Sequence, residues 1–202
     1  MSIVLYWHPM SSATPIACAL TELGVPHDRV KIDIRTGEQR RPEYLALNPN
    51  GKVPTLTVDG APMFEALAIH LWLGHRFGIE QGLWPAAGTP EALQALSWCT
   101  WSYVTYGAVV TRLFLATQGE EALRSPVQVE AAVRGLNEHL ALLDARLAKH
   151  PWMLGAEYSL VDLVVGSVVG YSVYLGAPVQ AHPHVQAWLT RVQSRPAMQI
   201  DA

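Results

Sequence analysis

Two short runs hold the residues whose types and spacing suggest chemistry: Pro49-Asn50-Gly51-Lys52-Val53-Pro54-Thr55-Leu56 and Met63-Phe64-Glu65-Ala66-Leu67. The first reads as a loop ending at a proline that opens an edge strand. A cis Val53–Pro54 bond, a form essentially restricted to X-Pro, would turn the N–H and C=O of Val53 outward. An extended peptide can pair with those two groups as an added strand. The second run reads as a strand turning into a helix whose first residue, Glu65, is acidic. The start of that helix offers free N–H groups to a carboxylate. A small peptide with a carboxylate at one end fits between the two.

Among the hydroxyls near the start of the chain, those of Tyr6, Ser11 and Ser12 are the candidates for chemistry. The serines lie just ahead of a helical pattern, where N-capping is their simplest role. Tyr6 reads as a half-buried strand aromatic. Lys52, Arg40 and Arg35 are cations close to the first run; the simplest reading of each is a solvated surface charge with a buried stem.

The elements that must position these groups are legible from periodicity. Ser2 to Trp7 is a short apolar strand. Ile16, Leu20 and Leu23 recur at helical spacing, with Gly24 as the C-terminal cap. Val30 to Ile34 alternates as a second strand does, and Arg35 to Arg41 is a charged loop. Thr55–Val58, the turn Asp59-Gly60 and Ala61–Phe64 form a hairpin. A helix follows with Ile69, Trp72, Leu73 and Phe77 on one face and Gly78 at its end. The order β-α-β then β-β-α is that of a thioredoxin-like domain, so the expected fold class is α+β.

We expect this domain over residues 1–80 and a linker over 81–89, a stretch rich in Gly, Pro and small residues. An all-helical domain should then occupy 90–202. One long helix is expected from about Pro90 to Ala116. Another carries Val129, Val133, Leu136, Leu140, Leu143 and Leu147 in alternating steps of four and three. Ser159 opens a Ser-x-x-Asp capping box with Asp162. Val185, Trp188, Leu189 and Val192 mark the last helix. The aromatics Trp98, Trp101, Tyr103 and Tyr106 crowd the long helix, and such a stripe is more often core than site.

Composition excludes several classes. The chain has 202 residues, 50% of them hydrophobic, which suffices for one or two packed domains. A formal net charge of −3 gives no broad pull toward nucleic acid or anionic lipid. Leu160 to Leu175 is the most membrane-like stretch, but it is too short for a span and includes Asp162, so it reads as a buried core helix. Cys18 and Cys99 match no metal spacing, and His182-Pro183-His184 has no companion ligands, so no metal is expected. Two cysteines on apolar stretches fit a reducing compartment, the cytosol. The start, Met1 to Trp7, lacks a basic lead and does not read as a signal peptide.

The chain resembles the cytosolic glutathione transferases over essentially its full length, and among them bacterial, serine-type members of theta-, beta- and nu-like kinds. The residues that carry the resemblance are Leu5-Tyr6-Trp7-His8-Pro9 with Ser11-Ser12, and Leu20-Thr21-Glu22-Leu23-Gly24-Val25-Pro26. They continue with Asn48-Pro49-Asn50-Gly51-Lys52-Val53-Pro54-Thr55-Leu56, Glu65-Ala66-Leu67-Ala68-Ile69 and the Ser159–Asp162 box. Each motif alone is weak; their order and spacing together are specific.

The resemblance implies that glutathione binds the first domain and that the helical domain shapes a pocket for an electrophile. It assigns the cysteinyl part of glutathione to the backbone of Val53, beside Pro54, and the γ-glutamyl end to Glu65 and Ala66. It offers Lys52, Arg40 or Arg35 for the glycyl carboxylate. Ala66 departs from the usual serine, which removes one hydroxyl–carboxylate bond of ~1.5–3 kcal/mol. Tyr106, Trp101 and Met10 are the expected electrophile contacts, and a homodimer is expected. Three hydroxyls compete to activate the thiol. Ser11 is where many bacterial members keep their working serine, Ser12 lines up with the beta-class cysteine, and Tyr6 with the tyrosine of the alpha, mu and pi classes. The theta and zeta serine position is Met10. The implied activity is conjugation of glutathione, as co-substrate rather than cofactor, to small hydrophobic electrophiles. The competing reading is a binding or regulatory module of the same fold without chemistry.

Overall fold

The computed structural model describes residues 1–199 of the chain. They divide into two compact units, one of Met1–Leu83 with the segment from Arg195 onward, the other of Trp84–Ser194.

In the first unit, β1 (Ile3–Trp7) is joined through α1 (Thr14–Glu22) to the parallel strand β2 (Asp28–Lys31). The short helix α2 (Pro42–Leu45) precedes the hairpin β3 (Thr55–Val58) and β4 (Ala61–Phe64), and α3 (Ala66–Leu73) follows. The strand order is β2-β1-β3-β4, with β1/β3 and β3/β4 antiparallel, which is the thioredoxin-like arrangement. The hairpin turns at Asp59 (φ 48°) and Gly60 (φ 85°), the two positive φ values that match the twist of the flanking strands. Its register, Thr55↔Phe64 to Val58↔Ala61, is the one a two-residue turn at Asp59-Gly60 sets. Pro62 has no N–H to give to a ladder, and β4 tolerates it as an edge strand.

Three local expectations are corrected here. β3 is not an edge strand: it pairs with β1 on one side and β4 on the other, so only its entry at Val53–Pro54 lies outside the ladder. That peptide bond is cis. The second strand starts earlier than Val30, because its register against β1 runs from Val4↔Asp28 to Trp7↔Lys31. As an edge strand it is exposed throughout, and the buried apolar residue, Ile32, comes just after it. The α-helical part of the third helix stops at Leu73 and continues as one π-wound turn, Gly74–Gly78.

Helix α1 ends in Leu23 and left-handed Gly24 (φ 60°). The N–H of Val25 returns to Leu20 O at 2.9 Å and that of Gly24 to Thr21 O at 3.0 Å, the paired closure that a glycine at this position allows. The C-terminal segment was expected in the helical domain. Instead Arg195 donates from Nε to Glu22 on α1 at 3.1 Å and also pairs through Nη2, holding the turn Pro196–Met198 to the first unit.

The second unit is helical: α4 (Pro90–Thr100), α5 (Gly107–Gln118), α6 (Pro126–Leu147), α7 (Leu160–Tyr174) and α8 (Pro183–Gln193). The single long helix expected over Pro90–Ala116 is broken into α4 and α5 by a π-wound stretch, Trp101–Tyr106. Leu136, Leu140, Leu143 and Leu147 line the buried face of α6, and Val185, Trp188, Leu189 and Val192 that of α8. At the centre lies Asp162, fully buried. Its carboxylate accepts from the N–H of Ser159 (3.0 Å), the Ser159 hydroxyl (3.1 Å), the N–H of Met153 (2.7 Å) and the indole N–H of Trp188 (2.8 Å). Burial raises the pKa of this carboxyl above the usual carboxylate range, and the four donors pull against that rise. Among the described residues no helix is long and apolar enough to cross a membrane.

Candidate functional site

The loop before β3 is fixed by a closed ring of hydrogen bonds among buried groups. The Tyr44 hydroxyl lies 2.7 Å from Lys52 O and 2.8 Å from Thr55 Oγ1. Asn48 Nδ2 donates to Lys52 O at 2.8 Å and to Thr55 Oγ1 at 3.1 Å. A carbonyl only accepts, so the Tyr44 proton goes to Lys52 O. Thr55 already receives Asn48 and must give its own proton to Tyr44 Oη. Every polar group in the ring is thereby satisfied, as a buried network requires. Burial raises the Tyr44 pKa, with its hydrogen bonds to Thr55 and Asn48 opposing.

This ring holds Val53 at the exit of the loop. Among the described residues nothing accepts from the Val53 N–H, and its carbonyl receives a single donor, the Ser12 hydroxyl, at 3.2 Å. The two groups of Val53 thus form a short, open edge outside the sheet, suited to one added strand residue. Gly51 (φ 58°) lets the neighbouring loop close against it. A Cβ there would come within 2.9 Å of Gln39 O and Arg40 Nη1. Arg40 donates through Nη1 to Asn50 O at 3.4 Å, which tethers the guanidinium beside this loop. Lys52 is exposed.

The three candidate hydroxyls have different fates. Ser11 Oγ donates to His8 O at 2.6 Å and accepts from the N–H of Ala13 at 3.1 Å. Its proton and an acceptor site are both committed inside the β1–α1 turn. Ser12 is exposed, and among the described residues its side chain makes one hydrogen bond, the long one to Val53 O. Tyr6, half-buried on β1, sets its ring edge-on to Tyr44 at 6.0 Å, packing on the loop anchor. Neither serine is the N-cap of α1, a position held by Ala13 without a side-chain bond. His8 Nδ1 lies 2.9 Å from Ile32 O, so it carries the proton and braces the turn against the strand end.

Glu65 is the N-cap of α3 rather than its first residue, and it is exposed. Its φ of 71° is a conformation that L-residues avoid, at a cost of about 1–3 kcal/mol. Such outliers concentrate where a side chain is aimed at a ligand. Ala66 follows as the first helical residue, buried, with its N–H among those the helix cannot satisfy internally.

Of the expected electrophile contacts, Tyr106 is corrected: it is fully buried and bonds Ser172 Oγ at 2.6 Å, so it is core. It joins the π-wound stretch to α7 because Ser172, 66 residues away, presents its hydroxyl there. Trp101 is half-buried among Trp98, Tyr106 and His139, with centroid separations of 5.4, 5.3 and 5.8 Å. Met10 is 72% exposed and also has a positive φ of 57°. Both cysteines are buried, and burial pushes Cys18 up to about 11 and Cys99 up to about 12, far from the reactive range. No group of three or more His, Cys, Asp or Glu among the described residues could hold a metal ion.

Sequence signals for the anchor were incomplete. Asn48 stands in the quoted motif, but Tyr44 lies in a four-residue helix with no periodicity to reveal it.

Residues 10–76 match the family model of the glutathione S-transferase N-terminal domain, and residues 126–191 match that of the C-terminal domain. A glutathione S-transferase of Hypomyces subiculosus is 30% identical over 203 residues, covering 96% of this chain and 95% of that one. A disulfide-bond oxidoreductase of Escherichia coli is 28% identical over 203 residues, covering 96% and 92%. Among solved structures, a sphingomonad glutathione S-transferase complexed with glutathione superposes with a TM-score of 0.83 at 28% identity, covering 96% of this chain and 94% of that one.

Proposed function

Since the chain belongs to the glutathione S-transferase family, we propose that it binds glutathione along Val53 and joins the glutathione sulfur to small hydrophobic electrophiles, with Ser12 as the activating hydroxyl. The observation that carries this reading is the open backbone edge of Val53, occupied among the described residues by the Ser12 hydroxyl alone. The cysteinyl residue pairs with Val53, the γ-glutamyl carboxylate meets the N–H groups at the start of α3, and Arg40 and Lys52 lie on the side of the glycyl carboxylate.

The sulfur reacts as a thiolate. A free thiol titrates near ~8.5, and lowering that by ~2 units takes ~2.7 kcal/mol of preference for the anion. A hydroxyl donating to the sulfur supplies ~1.5–3 kcal/mol and the N-terminus of α1 adds ~0.3–1 kcal/mol. One available hydroxyl is enough, and no general base is required. Ser11 fits the task less well than Ser12, because its proton is already held at 2.6 Å by His8 O.

A second reading, a binding module without chemistry, draws on Ala66, which has no hydroxyl for the γ-glutamyl carboxylate. A glutathione isotherm and turnover with a chloronitrobenzene separate the two. We expect saturable binding, turnover, at least a tenfold loss of turnover in Ser12→Ala and a small loss in Ser11→Ala. Binding without turnover favours the module. Absence of both defeats the reading.

A homodimer belongs to the same proposal. Leu93, Leu96 and Val104 are apolar and 68%, 40% and 60% exposed on α4 and its π-wound continuation, and a second copy would cover them. Sedimentation of the wild type against Leu93→Glu tests it: a dimer that dissociates in the variant is expected, and a monomeric wild type overturns it.

A further inference from the structure

The bond between Ser12 and Val53 has a consequence that rests on the reading above. The Ser12 hydroxyl donates to the very carbonyl that an added strand residue would use. A hydroxyl has one proton, so Ser12 cannot donate to Val53 O and to a sulfur at once. Withdrawing that proton with nothing in its place would leave the Val53 carbonyl short of its donor, an unfavourable state where water is displaced.

We infer that Ser12 is a place-holder released by the ligand: an amide N–H arriving at Val53 O takes over the carbonyl and frees the Ser12 proton for the sulfur of the same ligand. The exchange is balanced. Before binding, Val53 O receives Ser12 O–H, and the Val53 N–H is open. Afterwards Val53 O receives the ligand N–H, Val53 N–H donates to the ligand carbonyl, and Ser12 O–H donates to S⁻. The thiol's own proton leaves to solvent. A bond to a charged acceptor is roughly twice as strong as the neutral bond given up, and the 3.2 Å length marks the latter as the weaker partner. Ser11 takes no part in the exchange, since its proton is locked on His8 O.

The exchange defines a ligand class. The thiol must lie on the carbon next to one that bears an amide N–H, as in an N-acyl cysteinyl peptide. A simple alkyl thiol brings no N–H, leaves Ser12 on Val53, and is not activated even where it reaches the site.

The experiment uses two ligands, glutathione and its thiol-free analogue with 2-aminobutyrate for cysteine. Their binding is measured by calorimetry in wild type, Ser12→Ala and Ser12→Thr. Bound thiolate is followed by ultraviolet absorbance against pH. In Ser12→Ala the thiol-free analogue no longer shares Val53 O with a resident hydroxyl and binds about two- to fivefold tighter, up to the worth of one weak neutral hydrogen bond. In the same variant thiolate formation moves to higher pH by about one unit or more. Ser12→Thr restores both. Parallel weakening of the two ligands, or no change in either, overturns the exchange while leaving glutathione binding intact. Failure of the wild type to bind either ligand defeats both the exchange and the proposed function. Circular dichroism of each variant verifies the fold.

Discussion

The Tyr44 hydroxyl lies 2.7 Å from Lys52 O, eight residues along the chain, and through that one bond a four-residue helix fixes the backbone just before Val53. The anchor is internal and buried, while the groups it presents are open. This division lets a loop hold a rigid binding edge. Tyr44→Phe keeps the ring and its contact with Tyr6 but strips one of the two donors from Lys52 O and the acceptor from the Thr55 hydroxyl. We expect ~1–3 kcal/mol of lost stability in the first unit, and glutathione affinity falling with it. Urea unfolding paired with a binding isotherm reads both. Unchanged affinity in a destabilised variant would detach the anchor from the site.

Ala66 opens α3 without a hydroxyl to offer a carboxylate. Ala66→Ser restores a donor beside the first N–H groups of α3, and the bond to a carboxylate is worth ~1.5–3 kcal/mol, about ten- to a hundredfold in affinity. Calorimetric titration with glutathione should show tighter binding. An unchanged dissociation constant would mean that the γ-glutamyl end docks elsewhere.

Asp162 collects four donors in the core of the helical unit. Asp162→Ala leaves the Met153 and Ser159 N–H groups and the Trp188 indole without their acceptor. The expected loss is about 3–5 kcal/mol, in line with removing one side of a buried charged network. Tryptophan fluorescence during urea unfolding measures it, because Trp188 reports on the site. A loss under about 1 kcal/mol would show that water substitutes for the carboxylate.

These elements differ in how well the sequence announces them. The hairpin from Thr55 to Phe64 is legible because Asp59-Gly60 favours one turn type and a two-residue turn sets the register of the strands it joins. The cap at Ser159 and the closure at Gly24 are likewise local. The misjudged features depend on contacts far along the chain. Whether β3 is central or at the edge is decided by its pairing with β1, some fifty residues earlier. Tyr106 became core because Ser172 meets it, and Arg195 returned to the first unit because Glu22 receives it. In the proposed function the choice between Ser11 and Ser12 turns on the direction of one O–H bond, set by the fold of the β1–α1 turn. Residue type carries no trace of that direction.

His70 supplies a pH dependence. It is 2% exposed on α3, and burial pushes its imidazole down to about 3. In the unfolded chain the same ring titrates near ~6.5. Between these values the unfolded state binds a proton that the folded state refuses, so stability rises with pH across the window and is lost as pH falls from about 6.5 toward 3. The slope contributed by this one group is about 1.4 kcal/mol per pH unit. Above pH ~6.5 the imidazole is neutral in both states and adds no slope. His70→Phe removes the titration, so its stability in the first unit should fall less steeply with acid than that of the wild type, whatever its absolute value. Urea unfolding at several pH values from 7 to 4 provides the comparison. Parallel curves for the two proteins would mean that His70 accepts a proton in the folded state, and that α3 has room to solvate the charge.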